Sequence, residues 1–235
     1  MLLHWERRNE MRGQVRYVAM LIAFQVVMLL TLSVAAEDPE EGKNFVWVDL
    51  GKKNESLLLT QSEQGDGKTK PTVKSGMDCR ENPWPYNGPG HNHMYFKIDD
   101  TFLVGGKHKA WIIMEYFDSN KAQEIDCQYD SNGAGPVGGA FRGARDDAFP
   151  VLKPEGTDKW RVHIWYINKD GRFENRANGS DFRFSSHGKG PIWINRVWFS
   201  LIKPPDDFDP EGIFGIAKSV EWYEKLAVTW GQLKF

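Results

Sequence analysis

The sequence predicts an all-β fold: an antiparallel β-sandwich of jelly-roll type, with an N-terminal signal segment and a short C-terminal helix. Three observations predict it. The 235 residues include 10 Trp, 14 Phe and 7 Tyr together with 23 Gly and 12 Pro, a mixture that favours short strands joined by tight turns. Apolar and polar residues alternate with period two in several of the segments between turn clusters. No helical period separates those segments, and strands without intervening helices pair antiparallel. The length fits one domain plus an appendage.

Residues 1–36 carry the marks of a secretory signal peptide. Arg7, Arg8, Arg12 and Arg16 make a basic start, Val18 to Leu32 is apolar, and Val34 and Ala36 are the small residues of a cleavage site ahead of Glu37. The other reading is an uncleaved membrane anchor, for which the apolar run is short against a span of about 20 residues. The sandwich domain is expected over 37–203. "NFVWVDL" (Asn44–Leu50) and "SLLLT" (Ser56–Thr60) read as strands around the polar turn "GKKNE". Gln61 to Gly90 reads as one long loop, because Pro83, Pro85 and Pro89 exclude a central strand. A loop of that length in a compact domain is often functional.

"HMYFKIDD" alternates, with Met94, Phe96 and Ile98 on one face. "KAWIIMEYFD" is apolar on both faces and reads as a central strand. "QEIDCQYD", "DKWRVHIWYI", "SDFRF" and "IWINRVWFSLI" complete eight strand candidates. Residues 204–235 read as a linker, "KPPDDFDP" being rich in Pro and Asp, and then a helix in which Val220, Tyr223, Leu226 and Ala227 share one stripe.

The formal net charge of -2 leaves no electrostatic footprint for nucleic acid. Cys79 and Cys127 either form a disulfide, which export permits, or are two buried thiols. There is no Cys-x-x-Cys pair to suggest zinc. "HNH" at His91–His93 reads as a solvated turn. Asp99, Asp100, Asp118 and Asp130 end or follow strands, where oxygen ligands could hold a structural calcium ion, and no other cofactor is expected. "GAGPVGGAFRG" lacks the Gly-Lys-Ser/Thr of a phosphate loop, and no Gly-x-Ser-x-Gly elbow is present.

Aromatic rings in loops suit the apolar faces of sugars, with neighbouring amides for the hydroxyls. Trp84, Tyr86 and Asn87 lie in a Pro-stiffened loop, and Trp193 and Asn195 share a face of the last strand, with Val197 if that strand is regular. "GRFENRANGSDFRF" (Gly171–Phe184) reads as a connector. Asn178-Gly179 suits a left-handed turn, Phe173 plugs the end of the sandwich, and Asp181 pairs with Arg176 or Arg183 or caps backbone donors.

"MYFKIDDTF", "IIMEYFD", "QYDSN", "GTDKWRVHIWYI", "RFENRANGSDFRF" and "IWINRVWF", in that order from Met94 to Phe199, resemble an accessory β-sandwich module of exported bacterial polysaccharide-degrading proteins. The resemblance implies a jelly roll akin to carbohydrate-binding modules, which are commonly linked to a glycosidase or lyase. The sequence departs from that pattern in two ways: this chain holds no catalytic domain, and Gln61–Gly90 carries no ligand motif. The expected protein is therefore secreted, periplasmic or at the cell surface, binding a polysaccharide or surface glycan without catalysis. A separate catalytic or surface protein is a further expected partner. The alternatives are a polysaccharide lyase or glycoside hydrolase on the same fold, and a structural adhesion or scaffold protein.

Overall fold

The computed structural model describes residues 41–51, 55–82, 93–119, 124–133, 137–141, 151–186 and 189–210. The expected signal peptide and the expected C-terminal helix lie outside them. Among the described residues, eleven strands form two antiparallel sheets packed as a sandwich, as the alternation predicts. They are β1 Phe45–Asp49, β2 Ser56–Leu57, β3 Leu59–Ser62, β4 Lys70–Lys74, β5 Met77–Glu81, β6 His93–Ile98, β7 His108–Asp118, β8 Asp126–Tyr129, β9 Lys159–Gly171, β10 Phe182–Ser185 and β11 Trp193–Ser200. No helix among these residues is long and apolar enough to cross a membrane.

The larger sheet is organised around β11. On one edge β11 pairs with β7, which pairs in turn with β9, so β7 is central as its apolar faces predict. On the other edge β11 has two successive neighbours. Trp193 and Ile194 face Glu81 and Arg80 of β5, whereas Arg196 to Ser200 face Asp49 to Phe45 of β1. The smaller sheet runs β3-β6-β10-β8.

The core lies between the sheets. Val46, Val48, Ile112, Met114, Trp165, Ile194, Val197 and Phe199 enter it from the larger sheet. Leu59, Met94, Phe96, Ile98, Cys127, Phe182 and Phe184 enter it from the smaller. Trp165 stacks on Phe184 at 5.3 Å between ring centroids, and Phe96 on Phe182 at 5.2 Å, contacts that add about 0.5–1.5 kcal/mol each beyond their buried area.

Two sequence expectations are corrected. "SLLLT" is not one strand: Leu58 takes a left-handed φ of 55°, so β2 joins the larger sheet and β3 the smaller. Gln61–Gly90 is not one loop either: it contains the hairpin β4–β5, turned by Ser75 (φ 50°) and Gly76 (φ 82°). Two left-handed residues in succession match the twist of paired strands. Pro71 is accommodated because β4 ends its sheet and needs no second partner.

The connector Gly171–Phe184 behaves largely as its sequence suggests. Phe173 is fully buried against Phe199, and Asn178 and Gly179 both take left-handed φ values. The carboxylate of Asp181 caps backbone donors and does not pair with arginine: it accepts from Ile98 N at 2.8 Å and Asn175 N at 3.0 Å. Arg176 instead faces Asp130 at 3.5 Å.

Candidate functional site

The site begins at Asn195, the residue at which β11 passes from one neighbour to the next. The pairing of β11 with β7 shifts register between Ile194 and Arg196, so Asn195 is the extra residue of a bulge. The bulge changes which side chains share a face. Trp193 packs with Cys79, Phe117 and Trp160 on the outside of the sheet, while Val197 enters the inter-sheet core. Trp193, Asn195 and Val197 therefore do not share a face, because the strand is not regular. Trp193 is buried, with the Lys74 ammonium 4.1 Å above its ring, and offers no open sugar platform.

Asn195 ties the two neighbours of β11 together. Its carbonyl accepts from Leu50 N at 2.6 Å, just past β1, and its Nδ2 donates to the Asp78 carbonyl of β5 at 2.5 Å. Between the end of β1 and the start of β5 the sheet is open, and a cleft of about 490 Å³ lies there. Its walls are Asp49, Gly51, Glu55, Gly76, Met77, Asp78 and Asn195. Gly51 keeps the cleft open: a Cβ there would lie 2.9 Å from Asp49 Oδ1 and 3.4 Å from Asp78 Cβ.

The chemistry of the walls is that of hydrogen-bond acceptors. Asp49, Glu55 and Asp78 contribute carboxylates. Asp49 is fixed by Gly51 N at 2.8 Å and Arg196 Nε at 3.3 Å. The same Arg196 also faces Glu115 at 3.9 Å. Asn195 is only 4% exposed, and its Oδ1 has no hydrogen-bond partner. A buried amide oxygen left unpaired costs about 1–3 kcal/mol, and here that oxygen is enclosed within the wall while Nδ2 holds β5.

The other predicted positions fall elsewhere. Trp84, Tyr86 and Asn87 lie outside the described residues. The four aspartates suggested for calcium serve the loops instead. Asp99 accepts from Thr101 N at 2.8 Å and Thr101 Oγ1 at 2.5 Å, and these bonds hold its carboxyl below the usual range. Asp100 accepts from Asn175 Nδ2 at 2.8 Å. Asp118 is raised by burial, but bonds from Thr157 and Gly156 outweigh this and leave it below the usual range. Asp130 is pushed up by burial, against bonds from Glu174 N and Arg176 N. Among the described residues no three His, Cys, Asp or Glu side chains converge to hold a metal ion.

Cys79 and Cys127 are free thiols, each buried, Cys79 in the outer cluster with Trp193 and Cys127 in the inter-sheet core. Of the two readings of the cysteines, the buried thiols hold, because the larger sheet separates the two positions. His93 is not a solvated turn residue: it is buried in β6 with Nδ1 3.0 Å from Asp66 Oδ2.

Solved structures similar to this chain include two of low sequence identity. One is CBM29_1, a family 29 carbohydrate-binding module from Piromyces equi, at 8% identity and a TM-score of 0.39, covering 71% of this chain and 97% of that one. The other is the K2 cleaved adhesin domain of Lys-gingipain, at 14% identity and a TM-score of 0.33, covering 70% of this chain and 95% of that one. No family model and no curated protein matches the chain.

Proposed function

We propose that this chain is an exported, non-catalytic glycan-binding module and that the cleft at Asn195 holds the sugar. The observation that carries this reading is the cleft of about 490 Å³ whose walls hold the Asp49, Glu55 and Asp78 carboxylates and which Gly51 keeps open. A sugar presents several hydroxyl donors at close spacing, and a set of fixed acceptors is what such a surface requires. Gly51 and Gly76 leave room for a bulky ring, and Met77 supplies an apolar contact for its face. The export signal read in residues 1–36 fits a protein that meets polysaccharide outside the cell.

The test is retention on affinity gels and titration calorimetry with a panel of plant, algal and animal polysaccharides. Binding to at least one is expected, and Asn195→Ala, which removes the tie from Asn195 Nδ2 to the Asp78 carbonyl in the cleft wall, is expected to weaken it by about 0.5–1.5 kcal/mol. A panel without a single retained polysaccharide would sink the reading. Binding that survives Asn195→Ala unchanged would place the sugar away from the cleft.

A further inference from the structure

The larger sheet is apolar on both faces. Its inner face meets the smaller sheet across the core. On its outer face Phe45, Ile113 and Trp198 form a second apolar cluster, with Trp47, Val162 and Ile164 half-buried against it. Ala110, Ile112, Trp165 and Ile167 point into the inter-sheet core, so the pleat turns Trp111 and Tyr166 outward. Those two rings lie opposite one another on β7 and β9, 5.1 Å apart, and Tyr166 is 44% exposed. An antiparallel sheet that keeps one face in water carries polar side chains there, whereas a face built of Trp, Tyr, Val and Ile calls for another layer.

The chain itself begins that layer. After β11 it turns back over the outer face: Ile202 and Phe208 pack on the outer cluster, Phe208 edge-on to Trp198 at 5.2 Å between ring centroids. The Pro210 carbonyl then accepts from Arg196 Nη1 at 3.3 Å. The described chain therefore stops beside the middle of β11, on the face whose apolar surface continues onto β7 and β9. Residues 211–235 follow, and the helix expected in them carries the apolar stripe of Val220, Tyr223, Leu226 and Ala227. Lys218, Glu221, Glu224 and Lys225 fall on its other side. A helix over 217–235 would be about 28 Å long, and β9 lies two strand spacings, about 10 Å, from β11, so the segment can reach and cover that side of the sheet.

We infer that the outer face of the larger sheet is a docking surface for the chain's own residues 211–235, which lie on it as a helix with the Val220–Ala227 stripe against Ile164 and Tyr166. The docked segment makes a third layer and continues the cover that Ile202 and Phe208 begin. Glycan binding at the cleft neither needs this contact nor follows from it.

The experiment uses the full chain with p-benzoylphenylalanine in place of Tyr166, which sets a photoreactive ring at an exposed aromatic position and leaves the inter-sheet core untouched. Isotopically light and heavy copies are mixed, irradiated and digested for mass spectrometry. Cross-links to residues 211–235 are expected, each joining peptides of one isotope composition. The same group in place of Thr60, exposed on the outside of the smaller sheet, is expected to give none to that segment. Limited trypsin digestion gives a second readout that does not depend on the photoreactive group. Cleavage after Lys218 and Lys225 is expected to be about tenfold slower in the native chain than in Ile164→Glu, which sets a charge in the contact. Cross-links between light and heavy copies would assign the face to a second copy of the chain and overturn the inference. So would cross-links from position 166 that leave out residues 211–235, or equal cleavage of the native chain and the variant.

Discussion

Asp181 shows what one buried carboxyl can do to a β-sandwich. It is 1% exposed, and burial pushes its pKa up to about 6, against the two backbone bonds from Asn175 and Ile98 that favour the charged form. The folded chain therefore keeps this proton over a pH range in which the unfolded chain, with an ordinary aspartate, has released it. The stabilisation from this group is present in full below the ordinary aspartate range and is lost as pH rises through about 6. Acidification from pH 7 to pH 5 is thus expected to stabilise the fold through Asp181, by an amount on the order of 1 kcal/mol. Urea midpoints measured across that range would show it, and Asp181→Asn should flatten the slope. It should also lower stability, because the amide NH2 would face a backbone N–H where the carboxyl offers its second oxygen. A slope that persists unchanged in the variant would assign the proton to another group, of which Asp130, shifted upward for the same reason, is the nearest candidate.

At the scale of elements, the hairpin β4–β5 connects stability to the site. Its turn places Gly76 at φ 82°, and Gly76, Met77 and Asp78 form one wall of the cleft. Gly76→Ala is expected to destabilise the domain by about 1–2 kcal/mol, the cost of a left-handed L-residue, and to weaken the proposed glycan binding with it. Chemical denaturation and calorimetry on the same variant would separate the two effects. A variant with native stability and lost binding would assign Gly76 to ligand contact and not to the turn.

The strands that face the core on one side were legible from alternation: β1, β6, β9 and β10 each bury a period-two set of side chains. The hairpin was not, because β4 and β5 are half-exposed and polar and Pro71 reads as a breaker. Ser75-Gly76 was the local signal that could have marked the turn. Leu58 was illegible for the opposite reason: an unbroken apolar run gives no hint that the chain changes sheets within it. Of the site, the sequence named Asn195 alone. Asp49, Glu55 and Asp78 come together only because β1 and β5 follow one another along β11, a tertiary fact with no trace in spacing.

For the molecule as a whole, the two thiols bear on where it can work. Both are buried, and burial raises their pKa values, Cys79 to about 11, so neither offers a reactive thiolate in the folded state. The melting temperature is expected to be the same with and without reductant. A thiol reagent should label both cysteines only after unfolding. Rapid labelling of the native protein, or a reductant-sensitive melting transition, would show that the thiols are exposed or bridged. A domain of this kind holds together by its aromatic core and not by a covalent staple, which makes its fold indifferent to the redox state of its surroundings.

The placement of Pro71 has a meaning beyond local geometry. β4 lies at the end of its sheet, and a terminal strand is where another chain can add itself by backbone pairing. Pro71 removes a donor from that row, and Lys70 and Lys74 at the two ends of β4 set positive charge along it. Among the described residues this end of the larger sheet is thereby made a poor template for a second copy of the chain, so the domain can be crowded against itself without growing into fibres.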